Sequence, residues 1–490
     1  MWFFVLFIAL LALLLFEGAR PVRFPPGPCW IPILGNYLLF YELRKKLGFT
    51  HLVWEWLSKR YGPLVGVKLG KDKLVIGTNL PVVKELLTKE QFEARPDGFF
   101  FQFRAFGERY GLVFVDGEFF NEQKRFVMKH LKSFGLNKSI MEDRISSEAE
   151  ELIQHILKIQ KDDGLVIPGI VEISVVNILW SIVAGRRFEL DDKKAQDLVD
   201  NIHTSFRLQD MSGGILNQMP FLRFICPELT SFNKLKDVLG NLTSFVKKII
   251  DEHRETVSSY ENRDLVDAFL NEMKKQGGNN STFTEKQLII LLLDLFLAGP
   301  ETTSATLGFA ALYLIHYPHI QNKLHDELDK VIGKGKRPCM KDKPTLVYME
   351  AFTMELQRII NVTPTTVSHR AKEDADVMGY RIPKDSIVLA NLYSLHMSKD
   401  YWTDPENFRP ERFIDENGAI VQYDFFIPFG LGKRRCIGEA LAKTSLFLYL
   451  TALLQKFRIR PVSEELPPIK SLDGATISPA PFRCFFEPRE

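Results

Sequence analysis

The chain has 490 residues, of which 46% are hydrophobic, and a formal net charge of +2 at pH 7. This length and composition support a large core, and the near balance of charge argues against a nucleic-acid-binding protein. The five cysteines are odd in number and scattered without CxxC pairs, which argues against a disulfide framework and fits a reducing compartment.

The chain opens with an unbroken apolar run from Trp2 to Phe16. This run is shorter than the roughly 20 residues of a typical spanning helix. Arg20 and Arg23 follow it and no basic residue precedes it, so the positive-inside rule predicts a membrane anchor over residues 1–19 with the remaining chain in the cytosol. A cleaved secretory signal is the alternative, but the run lacks a basic start and a convincing small-residue cleavage site.

The segment after the anchor contains Phe24-Pro25-Pro26-Gly27-Pro28, which cannot continue a helix. It predicts a stiff proline-rich hinge over residues 20–28. No further linker divides the chain, so residues 29–490 are predicted to form one domain. Near its start, residues 50–60 have a helical pattern, and Pro63–Leu69 and Lys73–Gly77 alternate like the strands of a hairpin.

Five phenylalanines crowd residues 99–106, which is either core filling or, in the fold class that motifs further along the chain resemble, a substrate-contacting loop. Further along, the pattern from Glu285 to about His316 is apolar nearly all round and predicts a long buried helix. Ala298-Gly299-Pro300-Glu301-Thr302-Thr303 stands inside it, where Gly and Pro are costly unless they are used. We expect Pro300 to kink or open the helix beside Gly299.

One cysteine lies among glycines and cations in the stretch Phe429-Gly430-Leu431-Gly432-Lys433-Arg434-Arg435-Cys436-Ile437-Gly438, directly before a helical pattern. Neighbouring cations and a helix N-terminus both lower a thiol pKa, so this setting favours a thiolate. A structural buried cysteine is the alternative.

The full pattern Phe-x-x-Gly-x-Arg-x-Cys-x-Gly resembles the haem-thiolate loop of the cytochrome P-450 superfamily. The resemblance implies a mainly α fold with small β-sheets, haem as the cofactor, Cys436 as the axial ligand of its iron, and Phe429 packed beside the sulfur. The stretch from Ala298 to Thr303 is similar to the family's oxygen-handling signature. It implies that Thr302 acts in oxygen activation and that Glu301 feeds a proton relay from solvent.

Two further patterns, Glu355-x-x-Arg358 and Phe408-Arg409-Pro410-Glu411-Arg412-Phe413, resemble the family's ExxR and PERF elements, which form a buried charge network. The resemblance also places partners for the haem propionates at Arg434, His369 and Lys124. The last position departs from the family pattern, because the usual Trp-x-x-x-Arg is here Phe120 and Lys124, with Arg125 adjacent. Lysine can neutralise a propionate but lacks the two-pronged guanidinium.

The resemblance covers residues 24–490 and implies a membrane-anchored monooxygenase of the endoplasmic reticulum. Such an enzyme receives NADPH-derived electrons from NADPH-cytochrome reductase and inserts one atom of O2 into a small lipophilic substrate. A haem-thiolate isomerase and a haem sensor are alternatives from a different class. Neither of these two proteins needs oxygen activation, and the presence of both Glu301 and Thr302 therefore argues against them.

Three stretches, residues 93–100, 210–214 and 427–430, are similar to those of insect farnesoate and methyl farnesoate epoxidases. That similarity implies epoxidation of a farnesoid in juvenile hormone biosynthesis. Hydroxylation of another lipid or of a foreign compound is the alternative, and the residues do not distinguish acid from ester. Residues 471–486 are predicted to form a closing hairpin whose turn, near Ala475–Ile477, points into the active site.

Overall fold

The computed structural model describes residues 2–5, 17–135, 139–258, 260–276 and 281–489. The α-helices of this part of the chain, numbered α1 to α17, are Tyr37–Leu47, Thr50–Tyr61, Leu80–Thr88, Phe99–Phe103, Gly117–Ser133, Ser139–Ile159, Gly169–Val183, Lys193–Leu208, Gly214–Gln218, Leu222–Ile225, Phe232–Thr256, Leu265–Lys275, Glu285–His316, Pro318–Val331, Val347–Ile360, Leu392–His396 and Glu439–Lys456. Single 3-10 turns span Glu90–Phe92, Lys343–Thr345 and Pro410–Phe413.

Short strands form four small sheets beside the helices. The strands β1 to β11 are Leu64–Leu69, Asp72–Gly77, Leu165–Ile167, His369–Arg370, Ala375–Val377, Tyr380–Ile382, Ile387–Ala390, Phe457–Pro461, Ser471–Leu472, Ser478–Pro479 and Phe482–Pro488. The largest sheet has the order β1-β2-β7-β4, with β2 and β7 parallel and the other pairs antiparallel. The predicted mainly α fold, the hairpin β1–β2 and the closing hairpin β9–β10 are therefore confirmed.

The core is built around α13, which we call the central helix. It packs against α7, α11, α15 and α17, and one large apolar cluster joins these helices. Thr284 caps its start by accepting a hydrogen bond from the Gln287 N–H at 3.1 Å. The helix runs as one element from Glu285 to His316 with Pro300 inside it, so the opening expected at Pro300 does not interrupt it.

The predicted charge network is present and buried. Glu355 and Arg358 lie three residues apart on α15, and neither side chain is exposed. Arg358 donates to both carboxylate oxygens, at 2.7 and 2.9 Å. The Nε of Arg412, which comes from the turn Pro410–Phe413, donates to Oε1 of Glu355 at 3.0 Å. Removing one partner would leave an uncompensated buried charge. The network therefore holds α15 and this turn in one relative position.

The predicted anchor over residues 1–19 lies mostly outside the described residues. Residues 2–5 are helical, and Trp2 and Phe3 are largely exposed. Within the described residues, the central helix alone is long and apolar enough to cross a membrane. It is mostly buried inside the protein, which identifies it as a core helix.

Candidate active site

The cysteine loop is closed by its own backbone. The N–H of Cys436 donates to the Phe429 carbonyl at 3.0 Å, and helix α17 begins three residues after the cysteine. Gly432 has a φ of +73°, and a Cβ there would lie 2.1 Å from the carbonyl oxygen of Leu87 at the end of α3. Only glycine therefore lets the loop pack this closely against α3. Phe429, predicted beside the sulfur, is partly exposed and closes the loop through its carbonyl.

The thiol of Cys436 is accessible to solvent although protein atoms surround it. Burial raises its pKa, opposed by the backbone N–H of Gly438. The expectation that loop cations lower this pKa is not met. The Nζ of Lys433 lies 2.9 Å from a Glu93 oxygen, and Arg434 lies over the ring of Phe120. A bound metal ion deprotonates a coordinating thiol outright, and this would supply the thiolate here.

The central helix has one accessible patch. Between Gln287 and Ile315 every residue is buried except Ala298, Gly299 and Thr302, which lie on one face at positions i, i+1 and i+4. The hydroxyl of Thr302 donates to the Ala298 carbonyl at 3.2 Å, which leaves its lone pairs free to accept a hydrogen bond. A hydroxyl at an opening in an otherwise buried helix is suited to contact a bound molecule.

Two guanidinium groups converge on the cysteine side. Arg434 donates to the carbonyls of Glu93 and Val115 at 3.0 and 2.7 Å, and its Nη1 is buried without a hydrogen-bond partner among the described residues. Arg95 is buried, donates to two backbone carbonyls, and leaves its Nε without a partner in the described part of the chain. Burial lowers the pKa of both groups, and the charge of Arg434 lowers that of Arg95 further.

Two other predicted residues lie beside these guanidiniums. Lys124 on α5 donates to the Lys433 carbonyl at 3.1 Å; burial and then the charges of Arg434 and Arg435 lower its pKa. His369 is buried, its Nδ1 lies 2.8 Å from the carbonyl oxygen of Phe92, and burial followed by the charge of Arg95 places its pKa well below the usual range. An Nδ1–H bond to that carbonyl leaves Nε2 without a proton in the neutral ring.

The donor set fits the propionates of haem. Buried guanidiniums are costly when no carboxylate bonds them, and here Arg95 and Arg434 bond backbone carbonyls while leaving nitrogen atoms unpaired. An anionic group would relieve the mutual repulsion of these cations and raise the pKa of His369. The thiol of Cys436 offers a soft ligand suited to iron.

The structure places Glu301 in a network that sequence reasoning missed. Its carboxylate is fully buried and turns toward α8. Oε1 accepts from Arg207 at 3.0 Å and from the Thr476 hydroxyl at 3.3 Å. Oε2 lies 2.5 Å from Nδ1 of His203, an ion-pair contact that is not well aligned as a hydrogen bond. The other ring nitrogen of His203 lies 2.5 Å from Oε1 of Glu172 on α7.

One feature of the sequence could have predicted this network. His203 and Arg207 stand at i and i+4 and so share a face of the amphipathic helix α8. Thr476 lies in the turn of the closing hairpin, as predicted for residues that point toward the site. Arg95 was also missed, although an Arg-Pro pair after a helix is a visible break in the pattern.

The phenylalanine-rich stretch is partly core, and its contact with substrate stays a prediction. Phe100 and Phe101 are buried in a cluster with Leu216, Leu235 and Leu239, so part of the stretch is core. The chain that follows is held by Asp294 of the central helix, which pairs with Arg104 at 2.5 Å and accepts the N–H groups of Leu112 and Val113. The stretch is therefore a fixed wall next to the central helix.

Comparison with known proteins identifies the family. The family model described as "Cytochrome P450" matches residues 25–485. The chain belongs to the cytochrome P450 family. It is 41% identical over 96% of its length to "Farnesoate epoxidase" of Bombyx mori, covering 95% of that protein. It is 37% identical over 98% of its length to "Cytochrome P450 2J2" of Homo sapiens, covering 94% of that protein.

This cytochrome P450 is accordingly a monooxygenase with haem as its cofactor. Bound haem with a thiolate ligand supplies the activation of dioxygen. The described residues place the cysteine loop on one side, and an accessible hydroxyl and a buried carboxylate next to each other on the central helix. The alternatives of an isomerase and a sensor are not supported, because the relatives match the chain over nearly its full length.

Proposed function

We propose that this cytochrome P450 epoxidises a farnesoid, either farnesoic acid or methyl farnesoate, in juvenile hormone biosynthesis. The observation that carries the proposal is the identity of 41% over 96% of the chain with the farnesoate epoxidase of Bombyx mori. Epoxidation needs only that an alkene be held near the activated oxygen, so substrate choice becomes a matter of positioning. The alternative products are those of hydroxylation of another lipid or of a foreign compound.

The walls near the central helix suit an apolar chain. Gly213, within the stretch 210–214 that resembles the epoxidase group, lies against the ring of Phe101. Phe101 belongs to the buried cluster of α4, α9 and α11. The stretch 210–214 therefore packs on the phenylalanine-rich helix α4 and forms one wall with it. A linear isoprenoid would bind such a wall mainly by apolar burial, at about 25 cal/mol per Å².

The same proposal assigns roles to the site residues. Cys436 would be the axial ligand of the haem iron, with Phe429 packed beside it. The propionates would be held by Arg434, Arg95, His369 and Lys124. Among the cations of α5 we choose Lys124, because it bonds the Lys433 carbonyl whereas Arg125 is exposed.

Thr302 and Glu301 would handle protons. Thr302 Oγ lies in the accessible patch of the central helix and can accept a hydrogen bond while donating to Ala298. Glu301, the preceding residue, holds a buried carboxylate that exchanges protons toward the site. Positioned proton transfer of this kind contributes about 10²–10⁴-fold to a rate.

We also propose that electrons come from NADPH-cytochrome reductase at the endoplasmic reticulum membrane. Residues 1–19 would be the anchor, residues 20–28 the hinge and residues 29–490 the cytosolic catalytic domain. A cationic face for an acidic partner would be formed by the exposed residues Lys129, Lys132, Lys433 and Arg435. Of these, Lys433 also pairs with Glu93 at 2.9 Å. Reversing these charges should raise the apparent Michaelis constant for reductase at low salt, and reduction rates that do not respond would remove these residues from the interface.

The experiment that tests the substrate uses the full chain in membranes with a reductase and NADPH. Farnesoic acid and methyl farnesoate are supplied separately, and the terminal epoxide is sought by mass spectrometry, with oxygen and NADPH consumption measured in parallel. Epoxide from either substrate supports the proposal. Absence of epoxide from both, with turnover of unrelated aromatic compounds, would contradict it and favour foreign-compound oxidation.

A further inference from the structure

Glu301 is cut off from solvent by the residues that bond it. Its side chain is 0% exposed, and its contacts in the described residues are Arg207, Thr476 and His203. A guanidinium does not give up its proton near neutral pH, and a threonine hydroxyl does not titrate in that range. Of the three contacts, the ring of His203 alone both titrates and reaches solvent, with 26% of its side chain exposed.

The ring is held between two carboxylates from different helices. Nε2 meets Glu172 of α7 and Nδ1 meets Glu301 of the central helix, each at 2.5 Å. Both carboxylates are nearly or fully buried, and the ring can donate at both nitrogens only as an imidazolium. From α11, the polar contact to α8 is the uncharged pair of Asn241 and Asn201. In the part of the chain that the structure describes, those two carboxylates are the charges that raise the pKa of the ring, and Arg207 lies one turn further along α8.

We propose that His203 is a positioning residue for proton delivery: it holds Glu301 and connects that buried carboxylate to solvent. The inference rests on the role proposed for Glu301. In the transfer step the Nδ1–H bond breaks, its electron pair stays on Nδ1, and an Oε2–H bond forms on Glu301. The neutral ring keeps its Nε2–H toward Glu172, and Nδ1 then takes up a proton from hydronium supplied by solvent.

The surroundings of the ring determine when the proton moves. Burial lowers the pKa of His203, but its contacts with Glu172 and Glu301 outweigh burial and raise it to about 10. The ring therefore rests as a protonated donor at neutral pH. Because the proton rests on the ring, its transfer to Oε2 is drawn forward when Glu301 passes that same proton on toward the site, so the two movements are coupled. A small rotation of the ring aligns Nδ1–H with Oε2, whose present contact is short but poorly aligned.

The first test measures protonation directly, without relying on turnover. The holoenzyme is labelled with ¹³C,¹⁵N-histidine, and the signal of His203 among the ten histidines is assigned from its loss in His203→Gln. We expect His203 to stay protonated through neutral pH and to titrate near pH 10, and Glu172→Gln to lower that midpoint. A midpoint near the ordinary value of about 6.5 in the unaltered enzyme would overturn the inference.

The second test measures coupling. His203→Gln keeps an amide beside Glu301 but cannot carry a proton, so product formed per NADPH should fall by about tenfold or more while peroxide rises. His155→Gln, which removes a partly exposed histidine of α6 outside this network, should leave coupling unchanged. Unchanged coupling in His203→Gln would overturn the inference. The inference would also be overturned if the pH profile of coupling in Glu172→Gln were the same as that of the unaltered enzyme.

Thr302→Ala separates this inference from the proposed function. It should uncouple the enzyme whatever His203 does, because its hydroxyl lies at the accessible patch. If Thr302→Ala uncouples and His203→Gln does not, the proposed chemistry holds and the solvent connection through His203 is wrong. If farnesoids are not epoxidised, both variants are measured with whichever substrate is oxidised, and the prediction for His203 is unchanged.

Discussion

Single residues show most clearly where sequence and structure agree and differ. The position of Cys436 before a helix and the pairing of Glu355 with Arg358 follow from local spacing, and both are present. The low thiol pKa expected from the loop cations is absent, because burial raises the pKa of Cys436 and because Lys433 and Arg434 turn to other partners. The spacing of residues in the sequence predicts where they lie along a helix or loop. The direction in which a long side chain points depends on distant hydrogen-bond acceptors, which no local pattern reveals.

The assignment of Cys436 as the axial ligand gives the first prediction. Cys436→Ala should lose the thiolate-type carbon-monoxide spectrum and all oxidation, because no other cysteine lies in this loop. Cys226→Ala, which removes an exposed free cysteine, is the control and should keep the spectrum. The measurement is the reduced carbon-monoxide difference spectrum of each purified protein. A thiolate-type spectrum in Cys436→Ala would refute the assignment.

The raised pKa of His203 predicts a pH-dependent contribution to stability. Because its folded pKa is about 10 and its unfolded value about 6.5, the contribution is complete below pH 6.5 and disappears as pH rises to 10. The difference in melting temperature between the unaltered protein and His203→Gln should therefore be largest near pH 6.5 and smallest near pH 10. A difference that is constant across this range would show that folding does not raise the pKa of His203.

At the scale of elements, the central helix organises the site through polar residues on an apolar helix. Asp294 binds the segment after α4, Thr302 lies at the accessible patch, and Glu301 binds α8. The sequence predicted the helix and its two catalytic candidates, but not Asp294. It could not reveal that Arg207, which is 94 residues from Glu301, would share its carboxylate. That contact depends on how α8 crosses the central helix, and this is decided by packing of the whole core.

The buried pair of Asp294 and Arg104 provides a prediction for this element. Asp294→Asn leaves a guanidinium that is 7% exposed without its carboxylate, which should lower the free energy of unfolding by about 3 kcal/mol or more. The segment 104–113 should also become open to trypsin after Arg104 and Arg109. Limited proteolysis with mass spectrometry measures this, together with denaturant unfolding.

A matched control exists in the same pair of elements. Lys286 of the central helix bonds Glu108 of the same segment at 2.8 Å, but both side chains are about half exposed. Glu108→Gln should change stability and cleavage little, because exposed ion pairs contribute little. Equal effects of Glu108→Gln and Asp294→Asn would show that burial of the pair is not what holds the segment.

For the whole molecule, the fold class was predictable because its motifs are local and specific. The arrangement of four small sheets was only partly predictable, since β7 joins β2 in parallel from over 300 residues away in the chain. Membrane topology depends on the N-terminal apolar run and on the charges beside it, and not on the packing of the domain. It is therefore tested by an experiment in cells.

The proposed topology makes the last prediction, which concerns the sequon at Asn241. Asn241 is exposed on α11 and begins an Asn-x-Thr sequon, so it can accept a glycan if the domain faces the lumen. Asn361 also begins a sequon but is 4% exposed and bonded to the Arg358 carbonyl, which makes it a poor acceptor in the folded chain. With a cytosolic domain, deglycosylation should leave the mobility of the native chain unchanged. A version carrying a cleavable secretory signal in place of residues 1–19 should shift, and Asn241→Gln should reduce that shift. If the native chain itself shifts because of a glycan at Asn241 or at the further sequon of Asn280, the domain faces the lumen and the anchor orientation is wrong.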